Sequence, residues 1–283
     1  FISFGKLNGC IDGSSEKEWI FTQLVSNTDE TLTDIQFVGD IGFAVGDEGT
    51  ILKTTDGVVW QQKESGVTVG LTSIFFVNAQ VGFVSGFKAT ILRTLNGGES
   101  FELLAFPETE GGLYGLYFVD EHNGFVVSGR GKIYMTTDAG VSWNLICENQ
   151  THFYTAVNFI DDENGFVVGG AGDATSGTSA MLKTTNAGTD WQPINAGLKE
   201  TINDIDFGSS ERGLFVAYDN NIFRSQDGGL NWERVAGTNG GNWRGVVFAG
   251  SQLAFAAGES GAIIVSENGG MDWRQTVTNS HSH

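Results

Sequence analysis

Residues 136–143, TTDAGVSW, place one carboxylate (Asp138), three hydroxyls, a glycine and an indole (Trp143) within eight positions. Such a set has the ingredients of a site, and it can equally hold a demanding turn together. The octet recurs: TTDGVVW ends at Trp60, TLNGGESF at Phe101, TTNAGTDW at Trp191, SQDGGLNW at Trp232 and SENGGMDW at Trp273. Its third position is Asp56, Asn96, Asp138, Asn186, Asp227 or Asn268, so half are carboxylates and half amides. An amide keeps the acceptor oxygen and loses the charge, a swap that catalytic carboxylates and hard-metal ligands do not tolerate freely. That oxygen is expected to accept N–H groups of a turn. Gly98, Gly140, Gly188, Gly229 and Gly270 are expected at positive φ. Each closing aromatic is expected to be a buried wedge whose indole N–H needs one partner. The copy ending at Trp60 is a residue short, with Val58 and Val59 inside it, and a distorted turn is expected there.

The elements that position these octets follow from their spacing. Successive closing aromatics are 41, 42, 48, 41 and 41 residues apart, and Trp19 lies another 41 before Trp60. A fixed period near 40 means a propeller, a solenoid or an array. Each period opens on a strand of the form L-x-x-I-x-F, such as LTDIQF at Leu32 or INDIDF at Ile202. A Gly-flanked apolar run follows, such as GFAVG at Gly42, and then a short strand such as ILKT before the octet. The aromatic opens a fourth strand. Four short strands with tight turns use up such a period, which makes it one propeller blade. The chain is thus read as all-β, a single β-propeller of four-stranded antiparallel blades, six favoured and seven the alternative. Residues 19–277 form the propeller, 1–18 an N-terminal segment that helps close the ring, and 278–283 a disordered tail.

Composition agrees with that reading and removes some functions. The 283 residues include 41 Gly and 2 Pro, which suits short strands and tight turns. The net charge of −19 repels phosphate backbones and argues against nucleic-acid partners. No apolar run is long enough to span a membrane. Cys10 and Cys147 can bridge in an oxidising compartment, but two cysteines are no disulfide framework. Leu7-Asn8-Gly9-Cys10 is faintly similar to a lipoprotein cleavage box, although Gly5 and Lys6 interrupt the apolar run it needs. The chain opens on Phe1 rather than Met, so upstream residues are expected to have been removed or left out.

The octets match the Asp-box pattern S/T-x-D/N-x-G-x-S/T-W, shared by β-propellers of different activity. The surrounding period, AVGDEGTILKTTDGVVW at residues 44–60, resembles the photosystem II assembly-factor-like propeller family. The resemblance covers about residues 19–275 and implies a binding or assembly role without catalysis, cofactor or metal. It also implies export, to a periplasmic or extracellular, envelope-associated location. Photosynthetic members look as if they hold a membrane-protein precursor with a positive patch. Here only Arg244 offers such a charge on an inner strand, so a non-photosynthetic relative is expected.

Sialidases share the box and are the reason to weigh a glycan-active hydrolase. They resemble one another in an inner-strand arginine cluster and an Arg-Ile-Pro motif. Neither Pro107 nor Pro193 follows Arg-Ile, and Arg93, Arg224, Arg234 and Arg274 fall on third or fourth strands. Asp34 and Asp204, at equivalent inner-strand positions, are either channel-lining residues or an acid–base pair, with Asp206 able to face the same way. There is no G-x-S-x-G, H-E-x-x-H, Walker or EF-hand signature. His122 and His152 are isolated, and His281 and His283 sit in the tail.

The boxes define one rim, so binding is expected on the opposite rim, at the channel mouth. Its loops vary: FPETEGG (106–112), CENQTHF (147–153), AGTNGGN (236–242) and the insertion GGAGDATSGTSA (169–180), read as a floppy loop or a recognition element. Thr33, Thr72, Tyr114, Thr155, Asn203 and Arg244 line the mouth, with Trp243, Tyr154 and Phe153 nearby. Such a mixture suits a peptide or protein, or a glycan, docking on a monomer. Changing Arg244 or Trp243 is expected to weaken capture and leave stability nearly intact. A structural surface-layer role is the third reading.

Overall fold

The computed structural model describes residues 2–3, 20–172, 178–196, 198–235 and 241–279. They form six four-stranded antiparallel sheets, the six blades of a propeller ring, and one small three-stranded sheet. Blade 1 is built from Leu32–Val38, Ile41–Gly46, Ile51–Thr54 and Gln61–Lys63, from the channel outwards. The inner strands of blades 2 to 6 are Leu71–Phe76, Leu113–Phe118, His152–Phe159, Ile202–Phe207 and Trp243–Phe248. Second strands such as Gly82–Gly86, Gly124–Ser128 and Gly213–Ala217 are buried along their whole length. Neighbouring blades cover both their faces, so these strands are continuously buried and mostly apolar rather than alternating. Among the described residues no helix is long and apolar enough to cross a membrane.

A repeated aromatic contact joins the blades. In blades 2 to 5 the Phe that closes the inner strand stacks on a Phe in the second strand of the blade before it. The ring centroids are 3.6 Å apart for Phe76 on Phe43, 3.7 Å for Phe118 on Phe83 and 4.8 Å for Phe159 on Phe125. The same blade's box Trp meets that Phe edge-on, at 86° for Trp143 on Phe118 and 84° for Trp191 on Phe159. In blades 1 to 5 a glycine at the start of the second strand makes room for the ring: a Cβ on Gly124 would lie 2.6 Å from Phe118. In blade 6 Ala254 stands there.

The boxes are turns, and their chemistry is local. In the copy at 136–143, Thr136 Oγ1 accepts the Gly140 N–H at 2.9 Å and Asp138 Oδ1 accepts the Ser142 N–H at 2.8 Å. Asn96, Asn186 and Asn268 present the same oxygen to Ser100, Asp190 and Asp272 at 3.0, 3.0 and 2.9 Å. That identity of acceptor explains why Asp and Asn interchange. Gly98, Gly140, Gly188, Gly229 and Gly270 all lie at φ between 77° and 85°. The residue before each is left-handed too, including Ala139 at 60° and Ala187 at 54°. A Cβ at Gly188 would lie 2.3 Å from Phe125 of the preceding blade, so this glycine serves packing as well as φ. Trp232 and Trp273 donate their indole N–H to the box carbonyls of Gly229 and Gly270, each at 3.1 Å. In the short box the Gly57 N–H reaches Thr54 Oγ1 one residue early, and Val58 and Val59 both donate to Asp56 Oδ1. The acceptors are unchanged while the loop is tighter.

The small sheet unites the two ends of the propeller. Ile20–Gln23 pairs in parallel with Val277–Asn279 and antiparallel with Ile2–Ser3. The boundary drawn at residue 277 therefore falls inside a strand, because Thr278 and Asn279 find a pairing partner. In blade 4 the ladder also runs further than the loop reading of residues 169–180 implies. Gly169, Gly170 and Ala171 pair with Ala180, Ser179 and Thr178. Trp19, Cys10, residues 173–177, 236–240, His281 and His283 lie outside the described residues. Cys147 carries a free, half-buried thiol.

Candidate functional site: the channel and its mouth

Inner-strand residues of all six blades enclose a channel cavity of about 490 Å³. Each inner strand has a β-bulge straight after its first motif residue, with register shifts between Leu32 and Asp34, Leu71 and Ser73, and Leu113 and Gly115. The shifts recur between Tyr154 and Ala156, Ile202 and Asp204, and Trp243 and Gly245. A bulge adds one unpaired residue and re-aims its side chain. The extra residues are Thr33, Thr72, Tyr114, Thr155, Asn203 and Arg244, and all six line the cavity.

Four of the six are used by the fold. Thr33 Oγ1 donates to the Leu71 carbonyl at 2.7 Å, and Thr72 donates to the Leu113 carbonyl. Thr155 Oγ1 reaches the Ile202 carbonyl at 2.7 Å, and Asn203 Nδ2 reaches the Trp243 carbonyl at 2.8 Å. Each ties its blade to the next through the carbonyl of the residue just before the next bulge. Tyr114 and Arg244 break the pattern: no such bond to the next blade is formed by a phenol or a guanidinium at these two places. Tyr114 is 39% exposed and meets Phe87 edge-on, with ring centroids 5.9 Å apart. The Arg244 guanidinium lies over the Tyr218 ring, donates to the Tyr218 hydroxyl at 2.9 Å and pairs with Glu259. Asn242 Nδ2 completes the group with a 2.8 Å bond to Glu259. Bonds from Asn242 and Arg244 hold the Glu259 carboxyl below its usual range.

Trp243 and Tyr154 are corrected by the structure. Only 2% and 1% of their surfaces are exposed, so neither side chain reaches the mouth. Both occupy the first position of the L-x-x-I-x-F motif, which precedes the bulge and points between blades, as Leu32, Leu71, Leu113 and Ile202 do. Trp243 packs with Leu214, Val246 and Ile264, and Tyr154 with Val157, Phe159 and Val167.

Asp34 and Asp204 face the channel from blades 1 and 5 and bind the backbone of the following blade. Asp34 Oδ2 accepts from the Ile74 N–H at 2.8 Å and Ser73 Oγ at 3.0 Å, while Oδ1 accepts the Ile35 N–H. Asp204 Oδ2 accepts the Val246 N–H and Oδ1 the Ile205 N–H, both at 2.9 Å. Asp206 accepts from Phe248 N–H at 2.7 Å and from Asn158 Nδ2 at 3.1 Å. Burial pushes the Asp34 carboxyl up to about 6 and the Asp204 carboxyl up to about 7, and raises Asp206. His152 is partly buried, which lowers its pKa, and lies 3.5 Å from the Tyr154 hydroxyl. Among the described residues no three His, Cys, Asp or Glu side chains converge to hold a metal ion.

Sequence reasoning missed Phe87, Tyr218 and Glu259, which stand on the turns between second and third strands. The available signal was the run of turn formers there, AYDNN at 217–221 and GES at 258–260. Left-handed Asp219, Asn220 and Ser260 make those turns tight and bring their side chains to the mouth.

The same ring occurs in solved structures. The chain matches a structure described as YCF48 bound to D1 peptide at 22% identity and a TM-score of 0.71, over 90% of this chain and 84% of that one. Selenomethionine-substituted virginiamycin B lyase from Staphylococcus aureus is similar at 12% identity and a TM-score of 0.74, over 91% and 88% of the two chains. The GH74 enzyme of Niastella koreensis follows at 15% identity and a TM-score of 0.67, where 84% of this chain covers 45% of that enzyme. Likenesses at such identities show a shared propeller fold and nothing of activity. Among curated proteins, none matches the chain. The family model described as Photosynthesis system II assembly factor YCF48 matches residues 12–151 and 182–281. With well over half of its length matched, the chain belongs to the photosystem II assembly factor YCF48 family.

Proposed function

We propose that the protein is a non-catalytic binding and assembly scaffold that captures a peptide segment of a protein partner at the rim opposite the Asp boxes. One observation carries this reading: of six equivalent bulge side chains, only Tyr114 and Arg244 are not tied to the next blade, and both stand exposed at the channel mouth. Phe87 and Tyr218 extend the surface with half-exposed rings. Aromatic groups beside an arginine are the composition that anchors partner segments. A relative of known structure is described as bound to D1 peptide, which supports a peptide as the kind of ligand. To meet a carboxylate of a partner, Arg244 must exchange Glu259 for it. Action as a monomer, exported to the periplasm or beyond, belongs to the same reading, and envelope fractionation with sizing of the native protein checks it. The hydrolase alternative rested on Asp34 and Asp204, and both of their carboxyls are engaged by backbone N–H groups.

Fluorescence anisotropy with D1-derived and partner-library peptides tests the assignment, with a glycan array as the competing arm. Arg244→Ala and Tyr114→Ala are each expected to weaken peptide binding about tenfold or more. Their unfolding free energies should stay within about 1 kcal/mol of wild type, as for other exposed pairs. Unchanged peptide binding in both variants refutes the mouth as the docking site.

A further inference from the structure

The channel below the mouth has two chemically different sides. Blades 5 and 1, which flank blade 6, supply the carboxyls of Asp204 and Asp34. Blades 2 and 3, across the ring, supply the rings of Phe75 and Tyr117, with centroids 4.7 Å apart. All four residues line the cavity of about 490 Å³. Backbone N–H groups fix the orientation of both carboxyls, leaving their remaining lone pairs for the cavity. Gly245 keeps the space beside Asp204 open: a Cβ there would have only Asp204 Oδ2 within 4 Å, at 3.6 Å.

We infer that this channel is a binding site for an alkylammonium group, its charge held between Asp34 and Asp204 and its stem laid along Phe75 and Tyr117. The volume is far larger than an ion needs, and no three-ligand metal cluster exists among the described residues. A cation near these rings gains from their faces as well as from the carboxylates. The titratable groups facing the site are Asp34 of blade 1, Tyr117 of blade 3, Asp204 and Asp206 of blade 5, and Arg244 at the mouth from blade 6. Blades 2 and 4 contribute Ser73, Phe75 and Asn158, which carry no charge. Arg244 is already paired with Glu259, so the acids of the channel have no cation of their own. Without a ligand, burial keeps protons on Asp34 and Asp204 towards neutral pH. Ammonium binding expels those protons and tightens as pH rises through about 6 to 7.

The ammonium can come from a free amine or from a lysine side chain of a docked segment, and the inference does not depend on peptide capture at the rim. Isothermal titration of the whole protein with 1,4-diaminobutane, with 1,4-butanediol and with a short single-lysine peptide separates these cases. The diamine, the peptide or both should bind saturably at pH 8, with proton release, and the diol should not. The double variant Asp34→Asn/Asp204→Asn keeps acceptor oxygens for the inter-blade N–H groups and should lower affinity at least about tenfold. Gly245→Val fills the open space, at a position of ordinary φ, and should abolish binding with the fold retained by circular dichroism. Peptide binding alone assigns the ammonium to a docked chain and sustains the site. Absence of binding by both amines, or wild-type affinity in the double variant and in Gly245→Val, overturns it.

Discussion

At the scale of single residues, neighbours in the motif have opposite fates. Trp243 and Arg244 are adjacent, yet one is in the core and the other half exposed at the mouth. Trp243→Ala is expected to cost about 3–5 kcal/mol, because it empties a large buried volume. Urea unfolding of this variant beside Arg244→Ala measures the contrast directly. A second expectation concerns Asp34 and Asp204. Their folded pKa values are raised, to about 6 and about 7 from 3.8. The folded state thus holds protons that the unfolded chain gives up, and stability from these groups is complete below about pH 4. It is lost as pH rises through about 6 to 7. Asp204→Asn cannot ionise, so its melting temperature should fall less than that of wild type between pH 5 and pH 8. Parallel melting curves of the two proteins would contradict the assignment.

At the scale of the element, the Asp box is a turn that also docks a neighbouring blade. Its fifth-position glycine sits on the second strand of the preceding blade, and basic side chains return the contact. Arg93 Nη1 donates to the Ala139 carbonyl at 2.8 Å and Lys183 Nζ to the Gly228 carbonyl at 3.1 Å. Two substitutions one residue apart should therefore differ in sign. Gly188→Ala combines a left-handed φ with a Cβ 2.3 Å from Phe125 and should cost about 2 kcal/mol or more. Ala187→Gly relieves a left-handed alanine and should be neutral or stabilising by about 0.5–1 kcal/mol. Asp138→Asn should be nearly silent, since Asn96, Asn186 and Asn268 make the same bond, whereas Asp138→Ala should cost about 1–2 kcal/mol. Thermal denaturation of the four variants ranks them. The turn itself was legible in the sequence, because its internal hydrogen bonds span at most four residues. The left-handed fourth position, the contacts with neighbouring blades and the buried indole N–H groups of Trp143 and Trp191, which meet no acceptor among the described residues, were not.

At the scale of the whole molecule, six repeated blades become one ring through contacts that are individually modest. The Phe stacks, the bulge side chains and the box glycines all act between consecutive blades. The parallel pairing of Ile20–Gln23 with Val277–Asn279 adds a contact between the two ends of the ring. Deleting Val277–Asn279 should speed amide exchange in the adjoining strands of blades 1 and 6 more than in blade 3. Equal exchange across all blades would remove any closing role from that sheet. Strand order and the structural nature of the boxes were legible in the sequence alone, since they follow from a period near 40 and from bonds within a turn, whereas the choice of six blades over seven was made by the sheets themselves. Only the tertiary structure decided which inner-strand residues stand exposed at the channel mouth. A bulge displaces the side chains by one place, and the next blade's carbonyls engage Thr33, Thr72, Thr155 and Asn203. Those partners lie about one whole period away in the chain, beyond the reach of any local pattern, and their engagement leaves the mouth to Tyr114 and Arg244.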